Sequence, residues 1–352
     1  MLNNKKQVFR TISLLEFDTL FERLKNWGRW GAGDELGTLN YITPDKVAAA
    51  AALVKSGRSA SMAIPIDKTA GPDNPNPAIH YMATTHDVDV GSKGVGFATD
   101  FLGMQFHGDC YTHLDALCHI SYKGLMYNGI PASKVDVTGA GCLDVTAYAQ
   151  GIVGRGVLID VPRYRGVKWL EPGEAVTAEE IEAIEKAQGV WLGSGDIMLF
   201  RTGQYRRRLE LGAWDVGDDG SGDEVGGVGA SVGGIGSGSG EGGGGGDGGG
   251  VMNACGRAGL DPYSLLLLHE REVAAFLPEG DGEVAPSYVE AIQSPIHPLQ
   301  VAAMGMFVSD SLQMEEVARI CEEENRFECM VVAAPLRLPG GTGCPFNPIA
   351  IF

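Results

Sequence analysis

The amino-acid sequence predicts a mixed α/β fold whose first half is rich in β-strand. Three observations carry this prediction: apolar residues recur at helical spacing in residues 13–27, short β-type runs fill residues 59–106, and strand, helix and strand signals alternate over residues 157–203. With 352 residues and 44% hydrophobic side chains, the chain can bury a sizeable core. We expect a single domain over residues 1–352, although this length also suits two domains.

The helix predictions rest on capping residues that precede periodic apolar positions. Residues 13–27 begin with a capping serine and then place leucine and phenylalanine at helical intervals. Thr43 and Pro44 are a cap followed by proline at the first helical position, which predicts a second helix over residues 44–55. Residues 177–188 begin with a capping-box pattern and predict a third helix.

The strand predictions rest on short β-type runs bounded by turn residues. The predicted strands are residues 59–66, 80–90, 96–106, 157–160 and 195–203. Late in the chain, residues 259–277 read GLDPYSLLLLHEREVAAFL, which predicts one further amphipathic helix. Strands and helices therefore alternate in the second half of the chain.

A glycine-rich tract separates two parts of the sequence. Residues 217–250 contain 19 glycines in 34 residues, with six acidic residues and no lysine or arginine. Such a composition cannot build a core and is typical of a flexible insertion or of a linker between domains. A phosphate-binding glycine loop needs a strand, a helix and a nearby basic residue, which this tract lacks.

Charge and cysteine usage narrow the function classes. The net charge of −18 argues against a nucleic-acid partner or an anionic membrane surface, because both require clustered lysine and arginine. No apolar segment reaches the roughly 20 residues that span a bilayer, and the amino terminus has no signal-peptide pattern. The seven cysteines show no CxxC spacing and are typical of reduced thiols. We expect a cytoplasmic homo-oligomer that acts on a small molecule.

The stretch QFHGDCYTHLDALCHI, residues 105–120, carries the strongest chemical signal. Asp109, His113, Asp115 and His119 are separated by even intervals, so an extended backbone would direct all four side chains to one face. Two imidazoles and two carboxylates on one face indicate a metal site. A polar strand edge with surface histidines is the alternative reading. His107 has the same even offset and is the reserve ligand if Asp109 fails.

This stretch resembles the HxxxHxDxxxH signature of the metal-dependent cyclase-like hydrolases, a family that contains kynurenine formamidase, isatin hydrolase and a manganese-dependent dienelactone hydrolase. The resemblance implies that His113 and Asp115 are metal ligands and that His119 is the general acid/base. Asp109 departs from the signature, since most members have histidine at that position. Leu117 stands where many members have proline. The segments WGRWG, LHER and GGTG extend the resemblance over nearly the whole chain except the glycine-rich tract.

The resemblance also implies a swivelling β/β/α fold and a second metal position. His297 and Asp310 match the order and spacing of a distal histidine and glutamate in the family, with Asp115 bridging the two positions. Asp310 is a second departure, because a shorter carboxylate replaces glutamate. The implied metal ligands are Asp109, His113, Asp115, His297 and Asp310.

This ligand set contains three carboxylates and two imidazoles. Carboxylate oxygen suits manganese better than imidazole does, so we expect one firmly held Mn²⁺, with Zn²⁺ as the alternative metal. We expect hydrolysis of an amide or ester bond in a cyclic amide, a lactone or an N-formyl aryl amine. Two alternatives remain open: a biosynthetic cyclase or dehydratase that uses the same site, and a non-catalytic metal-binding module.

Overall fold

The computed structural model describes residues 9–86, 94–213 and 256–352, and a large mixed sheet lies at its centre. The strands are β1 Ser59–Ser61, β2 Ile79–Thr84, β3 Thr99–Gly103, β4 His113–Asp115, β5 Val135–Asp136, β6 Gly139–Ala140, β7 Ile152–Asp160, β8 Ala175–Val176, β9 Ile197–Arg201, β10 Gly259–Leu260, β11 Ala275–Pro278, β12 Val308–Asp310, β13 Glu328–Ala333, β14 Gly343–Pro345 and β15 Ile349–Ile351. The α-helices are α1 Leu14–Leu24, α2 Pro44–Ala51, α3 Val161–Arg165, α4 Ala178–Gln188, α5 Gln204–Leu211, α6 Leu265–Glu270 and α7 Glu315–Glu324.

The central sheet has nine strands in the order β1-β15-β13-β7-β9-β11-β12-β4-β14. Strands β7, β9, β11 and β12 run parallel, and the strands on either side of this group are antiparallel. Every residue of β9 and β11 is buried, as expected for parallel strands covered on both faces. The mixed α/β fold predicted from the sequence is therefore confirmed.

The antiparallel group of the sheet brings three site residues into register. Strand β4 lies between β12 and β14, and Asp310 in β12 pairs with His113 in β4. Asp115 pairs with Val308 on one side and with Gly343 on the other. Residues nearly 200 positions apart in the sequence therefore meet on neighbouring strands.

The predicted helices in the first two thirds of the chain are confirmed. Helix α1 begins after Ser13, whose hydroxyl accepts from the backbone N–H of Glu16 at 3.4 Å while the Glu16 carboxylate accepts from the Ser13 N–H at 2.9 Å. Helix α2 begins at Pro44 but ends at Ala51, earlier than predicted. Helix α4 follows the Thr177 cap as expected.

The helix predicted over residues 259–277 is confirmed as α-helix only over residues 265–270, because residues 259–260 form β10 and the second half is not helical. Helix α6 ends at Glu270, and Glu272 has a φ of 56°, which breaks the helical path. The apolar residues that follow form β11, which lies between β9 and β12. Burial on both faces of the parallel sheet overrides the local helical spacing, because a short apolar run suits either element.

The strands predicted over residues 59–66 and 96–106 correspond to β1 and β3, which are shorter than predicted, and the strand predicted over residues 80–90 corresponds to β2, with its residues 87–90 outside the described residues. The glycine-rich tract at residues 217–250 lies outside the described residues. Within the described ranges, no helix has both the length and the apolar character that crossing a membrane requires.

Candidate metal centre

All the site residues predicted from the sequence line one cavity of about 270 Å³ beside β4 and β12. They are Asp109, His113, Asp115, His119, His297 and Asp310. His113, Asp115 and Asp310 are buried, whereas His119 keeps 28% of its side chain exposed. The cavity therefore combines buried ligand-type side chains with a histidine that solvent can reach.

The backbone is not extended over the whole of residues 105–120. Even spacing on a strand was expected to place the four side chains on one face, and this explanation is wrong outside β4. Only His113–Asp115 form a strand, and bends and turns occupy the positions on both sides. The turn after β4, closed by the His119 N–H donating to the Ala116 carbonyl at 2.9 Å, returns His119 to the site. Its Nε2 lies 3.5 Å from Asp115 Oδ2.

Two groups of donor atoms share Asp115. His107, Asp115 and His119 form one group, and His113, Asp115 and Asp310 form the other. Within each group the candidate ligand atoms all lie within 4.8 Å of one another. A carboxylate common to two groups of donors is the arrangement expected of a bridging ligand.

Two histidines are oriented by partners behind the site. His113 Nδ1 lies 2.8 Å from the Tyr111 carbonyl, and its Nε2 faces Asp115 Oδ1 at 3.6 Å. His297 Nδ1 lies 2.7 Å from Glu283 Oε1, and its Nε2 faces Asp310 Oδ2 at 3.5 Å. A fixed partner on one ring nitrogen holds the other nitrogen towards the carboxylates, as is usual for histidine ligands.

The buried polar atoms of this site test whether a metal ion fits. Asp115 Oδ1, Asp310 Oδ1 and His107 Nδ1 are buried and have no hydrogen-bond partner among the described residues. Buried polar atoms normally have a partner, and these three lie in one cavity, with His107 Nδ1 2.7 Å from Asp115 Oδ1, which fits a cation site. Imidazole and carboxylate donors without thiolate suit a divalent ion, and the residues therefore fit a metal.

The protonation states at this site follow from burial and from neighbouring charges. Burial raises the pKa of Asp115, but the contact with His107 and the charges of His113 and His119 outweigh it and bring the pKa to about 2. Burial lowers the pKa of His119 to about 4, although Asp115 opposes this effect. The ionised carboxylate can bind a cation, and the neutral imidazole can accept a proton.

Asp109 lies in the cavity but is engaged by an arginine. Arg257 contacts Asp109 Oδ1 through Nη2 and Asp281 Oδ2 through Nη1. The backbone carbonyl of Asp109 accepts from the Ser311 hydroxyl at 2.8 Å. Asp109 belongs to neither donor group around Asp115. Its role as a metal ligand stays a prediction.

Several residues of the cavity were not singled out by the sequence. Arg257 and Asp281 line the cavity, and Glu283 lies behind His297. Arg257 is 148 positions from Asp109, so no local spacing could link the two. His107, in contrast, was already named from the sequence as the reserve ligand, through its even offset from Asp109.

A larger cavity of about 620 Å³ lies near the carboxyl ends of β7 and β9. It has no histidine or cysteine in its lining, and its arginines are engaged. Arg201, for example, donates to Asp160 at 2.8 Å and to Glu315 at 2.7 Å. The smaller cavity is therefore the better candidate for chemistry.

Comparisons with known proteins give the family. The family model named Cyclase matches residues 45–278, about two thirds of the chain. A crystal structure described as a novel cyclase is 30% identical, covers 94% of this chain and 100% of its own, and superposes with a TM-score of 0.75. No curated protein matches the chain.

Two more distant structures share the fold. Isatin hydrolase A from Ralstonia solanacearum is 18% identical, with 88% of this chain and 97% of that chain covered and a TM-score of 0.53. An isatin hydrolase bound to the product analogue thioisatinate is 16% identical, with 88% and 99% covered and a TM-score of 0.52. These two likenesses concern the fold alone. The family match and the 30% identical structure together establish that this chain belongs to the Cyclase family.

Proposed function

We propose that the chain is a metal-dependent hydrolase of an amide or ester bond in a small molecule. The observation that carries the proposal is the buried carboxylate of Asp115, which is shared by two groups of donors beside a neutral, solvent-accessible His119. A divalent ion, when bound, supplies Lewis acidity for a carbonyl group and lowers the pKa of water. The side chains of the protein hold the ion and transfer the proton.

The residues proposed to hold the metal are His113, Asp115, His297 and Asp310. Burial keeps His113, Asp115 and Asp310 in place, and Tyr111 and Glu283 orient the two imidazoles through their other ring nitrogens. Asp115 is the proposed bridging ligand, because it belongs to both donor groups. The carboxylates support the preference for Mn²⁺ expected from the sequence.

His119 is the proposed general acid/base. Its imidazole is neutral at physiological pH, since burial lowers its pKa to about 4. Nε2 can take a proton from water as the water oxygen attacks the carbonyl carbon. The same nitrogen then gives that proton to the leaving nitrogen or oxygen as the carbon–nitrogen or carbon–oxygen bond breaks. Asp115, 3.5 Å away, stabilises the protonated imidazole in between.

The size and lining of the cavity support a small substrate with an apolar part. Ile120, Tyr122 and Pro298 add apolar surface to the lining of this cavity of about 270 Å³, beside the polar site residues. A cyclic amide, a lactone or an N-formyl aryl amine matches this size and polarity. The solved relatives described as isatin hydrolases favour a cyclic amide. Ring closure, the reverse reaction, is the second candidate, and the relative described as a cyclase favours it.

A substrate panel tests the proposal. Protein stripped of metal and reloaded with Mn²⁺ or Zn²⁺ is incubated with isatin, aryl formamides and unsaturated lactones. We expect hydrolysis of at least one class with metal and none without it. Failure of the metal-loaded protein on all three classes would favour a cyclase or a non-catalytic metal-binding module.

The variant His119→Ala separates the base from the ligands. Removing this imidazole should lower kcat by about 100-fold or more while leaving the metal content unchanged. His80→Ala is the matched control, because His80 lies on β2 and contacts Asp100 at 2.9 Å, away from the cavity lining. Loss of metal from His119→Ala would contradict the proposed role and make His119 a ligand.

A further inference from the structure

We propose that His107 supplies the metal ligand that the sequence assigned to Asp109, and that Asp109 instead fixes Arg257 in the cavity wall. This inference rests on the proposed metal-dependent function and deepens it by naming a different donor. It is carried by the contacts of three side chains, namely His107, Asp109 and Arg257.

The His107 ring is held in the manner of a metal ligand. Its Nε2 lies 3.0 Å from the Thr342 hydroxyl, which fixes the ring from behind. Its Nδ1 lies 2.7 Å from Asp115 Oδ1, yet neither atom has a hydrogen bond of acceptable geometry. The ring also stacks on His119, with centroids 4.2 Å apart and planes 2° from parallel. A cation bound by both His107 Nδ1 and Asp115 Oδ1 explains why these two buried atoms lie close together without forming a hydrogen bond.

Backbone packing leaves room for the His107 ring at this position. Gly343 pairs with Asp115 across the sheet, and a Cβ on Gly343 would lie 3.1 Å from His107 Cε1 and 3.0 Å from Asp115 Oδ1. The Leu114 carbonyl oxygen, 2.3 Å from that Cβ, is the atom that excludes a side chain here. Glycine at residue 343 therefore also leaves His107 and Asp115 uncrowded on this side.

Asp109 is committed elsewhere. Its Oδ1 contacts Arg257 Nη2, and the other terminal nitrogen of Arg257 contacts Asp281. A guanidinium between two carboxylates neutralises part of their charge and holds both in place. Turning Asp109 towards Asp115 would break this bridge and bring two carboxylates together. Residues 107–111 form bends and a turn instead of a strand. The His107 side chain can therefore reach the place that the side chain of residue 109 would occupy on an extended strand.

The exchange changes the expected ligand set. With His107 in place of Asp109, the set contains three imidazoles and two carboxylates instead of two imidazoles and three carboxylates. Its members are His107, His113, His297, Asp115 and Asp310. The carboxylate charge on the metal falls from −3 to −2. This set is softer, so the preference for manganese over zinc should be weaker than the sequence implied.

Metal affinity, measured by equilibrium dialysis with Mn²⁺ and with Zn²⁺, tests the inference without any activity assay. His107→Ala should weaken metal binding by roughly 10- to 100-fold or more. Losing a residue that only supports a ligand already costs that much, and His107 is proposed as a ligand itself. Asp109→Asn keeps an oxygen for Arg257 and should stay within about threefold of the wild type. Thr342→Val removes only the partner of His107 Nε2 and should weaken binding by about 10-fold.

The outcomes separate this inference from the proposed function. If Asp109→Asn weakens metal binding more than His107→Ala does, the inference fails and the metal-dependent function stands. If the wild type binds neither ion, both fail. Near-ultraviolet circular dichroism checks that each variant is folded. If His107→Ala unfolds, Thr342→Val still tests the inference, because it leaves every candidate metal ligand in place. Unchanged affinity in a folded Thr342→Val would also overturn the inference.

Discussion

Replacing Gly343 by alanine adds a methyl group where the sheet leaves no space. The new Cβ would lie 2.3 Å from the Leu114 carbonyl oxygen, which belongs to the neighbouring strand β4. Because that oxygen is backbone, no side-chain rotation relieves the contact, and β4 and β14 must move apart by about 1 Å. The same methyl group presses on Asp115 Oδ1 at 3.0 Å.

Overpacking of this kind costs about 1–3 kcal/mol, and a clash with backbone belongs at the upper end of that range. We expect Gly343→Ala to lower the free energy of unfolding of the metal-free protein by about 3 kcal/mol. Metal affinity should fall as well, since the displaced strand carries His113 and Asp115. Denaturant unfolding and equilibrium dialysis measure the two effects.

Gly108→Ala is the matched control, because nothing lies within 4 Å of a Cβ at Gly108, although it is next to His107 in sequence. Its stability should stay within about 0.5 kcal/mol of the wild type. A Gly343→Ala protein as stable as Gly108→Ala, with unchanged metal affinity, would refute the packing argument.

Two further predictions concern residues outside the cavity. Burial raises the pKa of Glu279 from 4.5 to about 7, although Arg201 and backbone N–H donors oppose the rise. The stability it contributes is therefore fully present below pH 4.5 and is lost as the pH rises through about 7, a change worth roughly 3 kcal/mol. Glu279→Gln should remove that part of the pH dependence in denaturant titrations between pH 4.5 and 7.5, and a variant with the wild-type pH profile would contradict this reasoning. Ser13→Ala removes the hydroxyl that caps α1 and should cost about 1 kcal/mol, whereas Ser56→Ala, in an exposed turn, should cost less than half of that.

Local signals in the sequence were enough for the elements with strong caps or clear periodicity. Ser13 and Thr177 cap α1 and α4 where the sequence placed them, because capping depends on residues within one turn. The helix prediction for residues 259–277 failed because the outcome there depends on distant contacts. The apolar run in β11 is a strand because β9 and β12 flank it, and that contact has no local signature.

The candidate site was predicted only in part, for a similar reason. His113 and Asp115 lie on one short strand, so their alternate spacing was informative. His297 and Asp310 came from the family resemblance, and strand pairing brings Asp310 beside His113. The bridge from Asp109 to Arg257 joins residues on two sides of the glycine-rich tract, and no spacing rule reaches across it.

Activity measured against bound metal tests the central claim most directly. Protein stripped of metal is titrated with Mn²⁺ or Zn²⁺, and hydrolysis of isatin or of the best substrate in the panel is followed together with metal content. The proposed function predicts that turnover rises in proportion to bound metal, and that His119→Ala binds the same amount of metal without turnover. Turnover in metal-free protein equal to that of the loaded protein would contradict the claim.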